Sequence, residues 1–200
     1  MFARSTTLHG KAENLDAGMR YIENEVRPVM DGLDGCLGMS CIIDRASGQA
    51  VITSSWTSEE TMRASDERLK AFRERAREIF GGSMQVDEWE IAVMRRRDHG
   101  GACRVTWAQG DLDALIDVYR YNALPTIEEV PGFCGTSLMV NRTTGVACVT
   151  TTYRTREELE GSRAAADQIR ARSAEQSGME VLDVHEFDLV YAHLHVPELV

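Results

Sequence analysis

The sequence lacks any uninterrupted apolar stretch long enough to cross a bilayer, and the segment MFARSTTLHGKAENL at its start has no signal-peptide core. Positive charge is also scarce, because 22 Lys and Arg residues stand against 32 Asp and Glu residues, a net charge of −10. Nucleic acids and anionic membranes select basic surfaces. We therefore expect a cytoplasmic protein with neither kind of partner.

Motifs for common cofactors and hydrolytic sites are missing as well. The chain has no GxGxxG, no P-loop, no HExxH and no GxSxG. Its five cysteines are odd in number and show no CxxC spacing, which is typical of reduced core residues. His193 and His195 would share one strand face, as metal ligands sometimes do, but no third ligand has recognisable spacing. We predict neither a cofactor nor a metal site.

The chain repeats itself at an offset of 97 residues. AVITSSW (50–56) matches ACVTTTY (147–153), and Pro28 falls on Pro125 without a gap between these points. Gly35, Gly38 and Gly48 of the first half also fall on glycines of the second. Such matches in register indicate an internal duplication. We predict a first repeat at 1–94, a linker at 95–101 and a second repeat at 102–200.

Each repeat predicts the order strand, helix, two hairpin strands, helix, strand. The predicted strands lie at 2–8, 37–44, 50–56 and 83–94, and then at 102–108, 134–141, 147–153 and 179–194. This order is the ferredoxin-like βαββαβ plan, with both helices on one face of an antiparallel sheet. The fold class is therefore α+β, with the two sheets packed against each other.

Two local signals refine the helices. Pro28 and Pro125 are expected to disturb or end the first helix of each repeat, since proline removes a backbone donor. Capping boxes for the second helices are predicted at Thr57 with Glu60 and at Thr155 with Glu158, one position out of register between the repeats.

The motifs PGFCG (131–135) and DGCLG (34–38) are each followed by a hairpin, an aromatic residue and Thr-x-Glu-Glu opening a helix. This arrangement resembles the antibiotic biosynthesis monooxygenase family of the dimeric α/β-barrel superfamily. Most relatives build the barrel from two chains, so the resemblance implies a fused pair that forms the barrel within one chain. A further homodimer of the fused pair is left open.

The resemblance also implies a pocket between sheet and helices for a small aromatic molecule. Cofactor-independent oxidation of a phenolic or polycyclic substrate is the first functional hypothesis, and non-catalytic ligand binding on the same scaffold is the second. Haem binding with degradation is the third. Haem-degrading relatives use a histidine in the second helix, and neither copy of that helix contains one.

Substrate-binding candidates are Trp56 and Tyr153, which correspond to the family's aromatic residue, together with Tyr21 and Arg4. An aromatic face suits a planar ligand, although packing in the core is an equal alternative for Trp56. The difference between Trp56 and Tyr153 suggests that only one repeat keeps a working site.

Catalytic candidates are Tyr119, His185 and Arg104. A tyrosine or histidine is able to move a proton, and an arginine stabilises a developing oxyanion. The alternatives are a tyrosine or histidine held in the structure by packing and hydrogen bonds, and an arginine paired with a carboxylate.

Overall fold

All eight predicted strands form. In the computed structural model, which describes residues 1–200, the strands are β1 (Phe2–His9), β2 (Cys36–Asp44), β3 (Gln49–Trp56), β4 (Ser83–Arg96), β5 (Ala102–Gln109), β6 (Phe133–Asn141), β7 (Val146–Tyr153) and β8 (Glu180–Leu194). Following the hydrogen bonds, the strand order is β1-β3-β2-β8-β5-β7-β6-β4, closed into a barrel. The predicted α+β class and barrel are confirmed.

The helices follow the repeat. The first repeat has α1 (Leu15–Tyr21), α2 (Arg27–Asp31), α3 (Glu59–Ala64) and α4 (Asp66–Phe80), and the second has α5 (Leu112–Val118), α6 (Leu124–Glu128), α7 (Arg156–Gly161) and α8 (Arg163–Ser177). None of them combines the length and apolar character that a membrane span requires. All five cysteines are free, and four of them are buried, as expected.

The chain forms two compact units. The first comprises Met1–Trp89 with Leu189–Val196, and the second comprises Glu90–Asp188 with Pro197–Val200. Each of the long strands β4 and β8 therefore begins in one unit and ends in the other. β4 also runs two residues beyond its predicted end at Met94, so the strand includes the start of the segment 95–101.

A π-helical turn follows the first helix of each repeat. Residues Ile22–Val26 separate α1 from α2, and residues Tyr119–Ala123 separate α5 from α6. The Arg27 N–H donates to the carbonyl of Ile22, five residues earlier, immediately before Pro28. Proline excludes an ordinary helical turn because its ring meets the carbonyl four residues back, and a wider turn relieves that conflict. The predicted disturbance at both prolines is confirmed.

One predicted capping box is wrong. α3 is capped by Ser58, whose Oγ accepts from the Thr61 N–H at 3.1 Å, while Thr61 Oγ1 accepts from the Ser58 N–H at 3.3 Å. Thr57 does not form the capping box, because a capping box uses the N–H of the cap residue and the Thr57 N–H donates to Gly35 O at 2.9 Å. The box at Thr155 is confirmed. Ser58 and Thr155 are 97 positions apart, so the two caps are in register.

A buried arginine in the first strand of each repeat holds the second helices in place. Arg104, 5% exposed, donates to Ser162 Oγ at 3.0 Å, to Leu159 O at 2.9 Å and to Glu186 Oε1 at 2.8 Å. Ser162 lies at the junction of α7 and α8. The same side chain therefore joins β5, that junction and β8.

The first repeat has an equivalent arrangement. Arg4, 4% exposed, donates to Ser65 Oγ at 3.2 Å and to Glu88 Oε1 at 2.7 Å. Ser65 lies at the junction of α3 and α4, and Glu88 lies on β4. Both buried arginines are thus paired with a carboxylate, which was one of the two alternatives open from the sequence.

We predict that Gly18→Ala destabilises the protein by about 1–3 kcal/mol, because a Cβ added to α1 would overlap the fully buried ring of Phe80. This cost exceeds the helix propensity that alanine gains, about 1 kcal/mol. Gly161→Ala is the control, since its added Cβ meets nothing within 4 Å, and it should be neutral or stabilising. Urea unfolding measures both, and equal effects would contradict the packing argument.

We also predict that Glu186→Gln reduces the loss of stability in acid. The pKa of Glu186 is lowered from 4.5 to about 2, first by a hydrogen bond from Arg163 and then by Arg104. A lowered folded-state pKa stabilises the protein above about pH 5, and this contribution is lost as pH falls toward about 2. The measurement is the free energy of unfolding between these pH values.

The Gln variant should also be less stable near pH 7 by about 2–3 kcal/mol, because Arg104 stays buried without its charged partner. Glu180→Gln on the same strand is the control, since Glu180 is exposed and makes no ion pair. If both variants follow the pH dependence of the unmodified protein, the ion pair does not contribute as described.

Candidate functional site

The second unit has a partly open cavity between its sheet and its helices. Its volume is about 80 Å³, and its wall includes Arg104, Tyr119, Thr151 and Tyr153, with further residues from α8. On this scale one water occupies roughly 10–15 Å³, so the cavity holds several waters or a small fragment. A larger aromatic molecule enters only if lining side chains or helices move.

A chain of hydroxyl groups lies at this cavity. The Tyr119 hydroxyl is 2.6 Å from Thr136 Oγ1, which in turn donates to the carbonyl of Thr150 at 2.8 Å. Thr151 Oγ1 lies 3.4 Å from Thr136 Oγ1. Because Thr136 gives its single proton to the carbonyl, Tyr119 must be the donor to Thr136. The Tyr119 oxygen also hydrogen-bonds with Thr151, and its remaining lone pair is left to accept a hydrogen bond from a ligand.

Burial raises the pKa of Tyr119 to about 12, although a hydrogen bond with Thr151 acts in the opposite direction. The phenol therefore keeps its proton at neutral pH. Tyr119 is suited to orienting a ligand by hydrogen bonding, and it does not provide a resting phenolate base.

Arg104 and Tyr153 lie together beside these hydroxyls. The guanidinium carbon of Arg104 is 5.7 Å from the centre of the Tyr153 ring, within the range of a cation–π contact. Tyr153 is almost fully buried. The cavity thus combines a cationic group, an aromatic wall and a set of hydroxyls.

The first unit has an equivalent cavity of about 50 Å³ with fewer hydroxyl groups in its lining. Arg4 lines it as Arg104 lines the other. At the positions 97 residues before Tyr119, Thr136 and Thr151, however, this unit has Ile22, Met39 and Ser54. Two of the three hydroxyl-bearing side chains are replaced by apolar ones, so this cavity offers fewer groups to orient a polar ligand.

The remaining sequence candidates lie elsewhere. Trp56 is fully buried outside the cavity lining, and its Nε1–H donates to Ser54 Oγ at 3.0 Å. The Tyr21 hydroxyl donates to Phe72 O at 3.4 Å and does not line the cavity either. His185 pairs with Val105 in the sheet and contacts the rings of Trp107 and Phe187.

Strand alternation explains the position of His185. Arg104 points to the helices, so its neighbour Val105 and the residue opposite Val105 point to the other face of the sheet.

The second cavity brings together three of the seven sequence candidates: Arg104, Tyr119 and Tyr153. The first cavity contains Arg4 alone.

Thr136 was not found from the sequence. A threonine within a strand is common and carries no motif. The available signal was the comparison of the repeats, because a buried apolar residue, Met39, is exchanged for a hydroxyl residue at a position in register with it. The same signal marks Ile22 and Tyr119.

No family model matches the chain. Among solved structures it is similar to an anthrone oxidase-like protein, with 11% identity, a TM-score of 0.71 and coverage of 100% of this chain and 94% of the other. A ferredoxin fold protein related to antibiotic biosynthesis monooxygenases, from Listeria monocytogenes, has 9% identity, a TM-score of 0.54 and 96% coverage of both chains. These likenesses confirm the fold resemblance inferred from the sequence motifs.

Two proteins of Mycobacterium tuberculosis strain H37Rv are much closer in sequence. The uncharacterized protein Rv2557 is 42% identical over 206 residues, which cover 100% of this chain and 92% of the relative. The uncharacterized protein Rv2558 is 41% identical over 209 residues, which cover 100% of this chain and 88% of the relative. The chain therefore belongs to the same protein family as Rv2557 and Rv2558.

Proposed function

We propose that the cavity of the second unit is the site of a cofactor-independent monooxygenase that oxidises a small phenolic or polycyclic aromatic molecule. The observation that supports this most is the Tyr119–Thr136–Thr151 hydroxyl cluster, because its members Tyr119 and Thr151 line the same cavity as Arg104. A phenolic oxygen needs hydrogen-bonding partners to fix its position and a positive charge to favour its anion. Both are present beside one aromatic wall.

In this mechanism the substrate binds with its hydroxyl donating to the Tyr119 oxygen. The substrate proton passes to water in the cavity, and Arg104 stabilises the anion that remains, because a fixed, buried positive charge lowers the energy of the anion. The electron-rich ring carbon then reacts with dioxygen. One oxygen atom becomes a carbonyl at a former CH₂ carbon, and the other leaves as water with the two hydrogens.

The choice of substrate class also draws on fold. A solved neighbour is named as anthrone oxidase-like, and an anthrone has both the phenol-forming oxygen and the CH₂ carbon that this reaction requires. The hydroxyl cluster is the main support for the proposal, because one fold hosts many reactions and the site decides among them.

Non-catalytic binding of a small ligand is the second candidate function. The raised pKa of Tyr119 deprives the cavity of a resting phenolate base, and Glu186 offsets the charge of Arg104 at 2.8 Å. Both features favour holding a neutral hydroxylated molecule over ionising it. Haem degradation is not proposed, since neither α3–α4 nor α7–α8 contains a histidine.

We predict that the protein consumes oxygen with a panel of anthrones and hydroxyquinones, and that Tyr119→Phe lowers kcat/KM by about 10- to 100-fold. The loss follows because one oriented hydrogen-bonding group is removed from the reacting oxygen. An oxygen electrode provides the rate, and product analysis should show one new carbonyl per dioxygen consumed.

Tyr121→Phe is the matched control, because Tyr121 lies in the same π-turn and is 75% exposed. It should retain full activity. Saturable binding of panel molecules without oxygen uptake would establish the binding function in place of the enzyme. Absence of both binding and turnover, or equal activity of the two variants, would overturn the assignment of the site.

A further inference from the structure

Two histidines lie side by side where β8 ends, His193 within the strand and His195 just after its last residue. Their Nε2 atoms are 3.0 Å apart and share a hydrogen bond, and their ring centres are 4.6 Å apart at an interplanar angle of 89°. Both side chains are exposed. We propose that this pair binds a divalent transition-metal ion, with Ni²⁺ and Cu²⁺ fitting its geometry best.

The nitrogen separation defines the angle at the metal. If each nitrogen lies about 2.05 Å from the ion, nitrogens 3.0 Å apart subtend about 94°. Extending each bond outward to its ring centre places the centres about 4.7 Å apart, close to the observed 4.6 Å. Both distances therefore fit two lone pairs that converge on one ion, provided that the ion displaces the proton now shared between the two nitrogens.

This angle selects among metals. An angle near 90° is that of neighbouring positions in square-planar or octahedral coordination, which Cu²⁺ and Ni²⁺ prefer with nitrogen ligands. Tetrahedral Zn²⁺ requires about 109°, and hence nitrogens roughly 3.3 Å apart. No group of three or more His, Cys, Asp and Glu side chains is arranged to hold a metal. Two histidines therefore supply the protein ligands, and water completes the coordination.

The backbone fixes the pair against β2. The His195 N–H donates to Leu37 O at 2.6 Å. The carbonyl of His193 approaches Gly38 so closely that a Cβ at that glycine would overlap it. Only glycine permits such an approach, so the histidine backbone is held at two successive points.

The second unit shows what occupies the corresponding positions. There the Arg97 N–H donates to Cys134 O at 2.8 Å, and Cys134 is 97 positions after Leu37. Likewise a Cβ at Gly135 would meet the carbonyl of Arg95. Arg95 and Arg97 are therefore the counterparts of His193 and His195.

Those two arginines share one carboxylate. Arg95 and Arg97 pair with Glu128 at 2.6 Å and 2.9 Å. The residue 97 positions before Glu128 is Asp31, whose charge helps to raise the pKa of Arg27. Two permanent positive charges in one unit thus correspond to two metal-ligating side chains in the other. A cation bound to the histidines would supply the charge that the arginines supply in the second unit.

The test is calorimetric titration of the full, untagged chain with NiCl₂, because a purification tag of histidines would itself bind the metal. We expect one Ni²⁺ per chain. His193→Gln and His195→Gln should each weaken binding by about 100-fold. Once one histidine holds the ion, the other binds it intramolecularly, and either substitution removes that second bond.

His185→Gln is the control, because His185 lies on the same strand without a second histidine beside it, and it should leave binding unchanged. Far-UV circular dichroism verifies that the three variants fold. The proposal is overturned if the unmodified chain binds no Ni²⁺ stoichiometrically, or if either paired histidine is replaced without loss of affinity.

Discussion

The buried arginine in the first strand of each repeat is the constraint on which the rest of the site depends. A guanidinium that is 4–5% exposed requires partners, because an unpaired buried charge costs several kcal/mol. Arg104 satisfies this requirement with Glu186 and with the junction of α7 and α8. The helices are therefore held at one distance from the sheet. The cavity is the space that remains between them, with the arginine forming part of its wall.

The two repeats share the residues that fix the backbone and differ in the residues that line their cavities. The arginine, the serine at the helix junction, the capping box and the π-turn before proline all occur in both units. These features decide how the backbone runs. The residues that differ, above all Ile22 against Tyr119, project from the same π-turn into the two cavities. Chemistry is thus able to change in one unit without cost to the architecture of either.

The sequence predicts the fold well because a duplicated pattern doubles each weak signal. It misplaced the first capping box, since Thr57 and Ser58 are equally good caps and only the strand's hydrogen bond to Gly35 decides between them. The site was harder to predict. Trp56 and Tyr153 occupy equivalent positions, yet only Tyr153 lines a cavity. Side-chain direction at the end of a strand depends on tertiary packing, and the separation of His193 and His195 depends on rotamers that no spacing reveals.

The cavity's size places a physical demand on either proposed function. At about 80 Å³ it is too small for a polycyclic molecule without movement of its walls. Strands joined on both sides by hydrogen bonds resist displacement, whereas the π-turn at Tyr119–Ala123 has longer-range hydrogen bonds and is followed by a proline that donates none. Tyr119, which orients the ligand, is the first residue of this π-turn. A hydroxylated ligand that donates to the Tyr119 oxygen gains a hydrogen bond inside the cavity, and this favours such ligands over apolar ones of equal size.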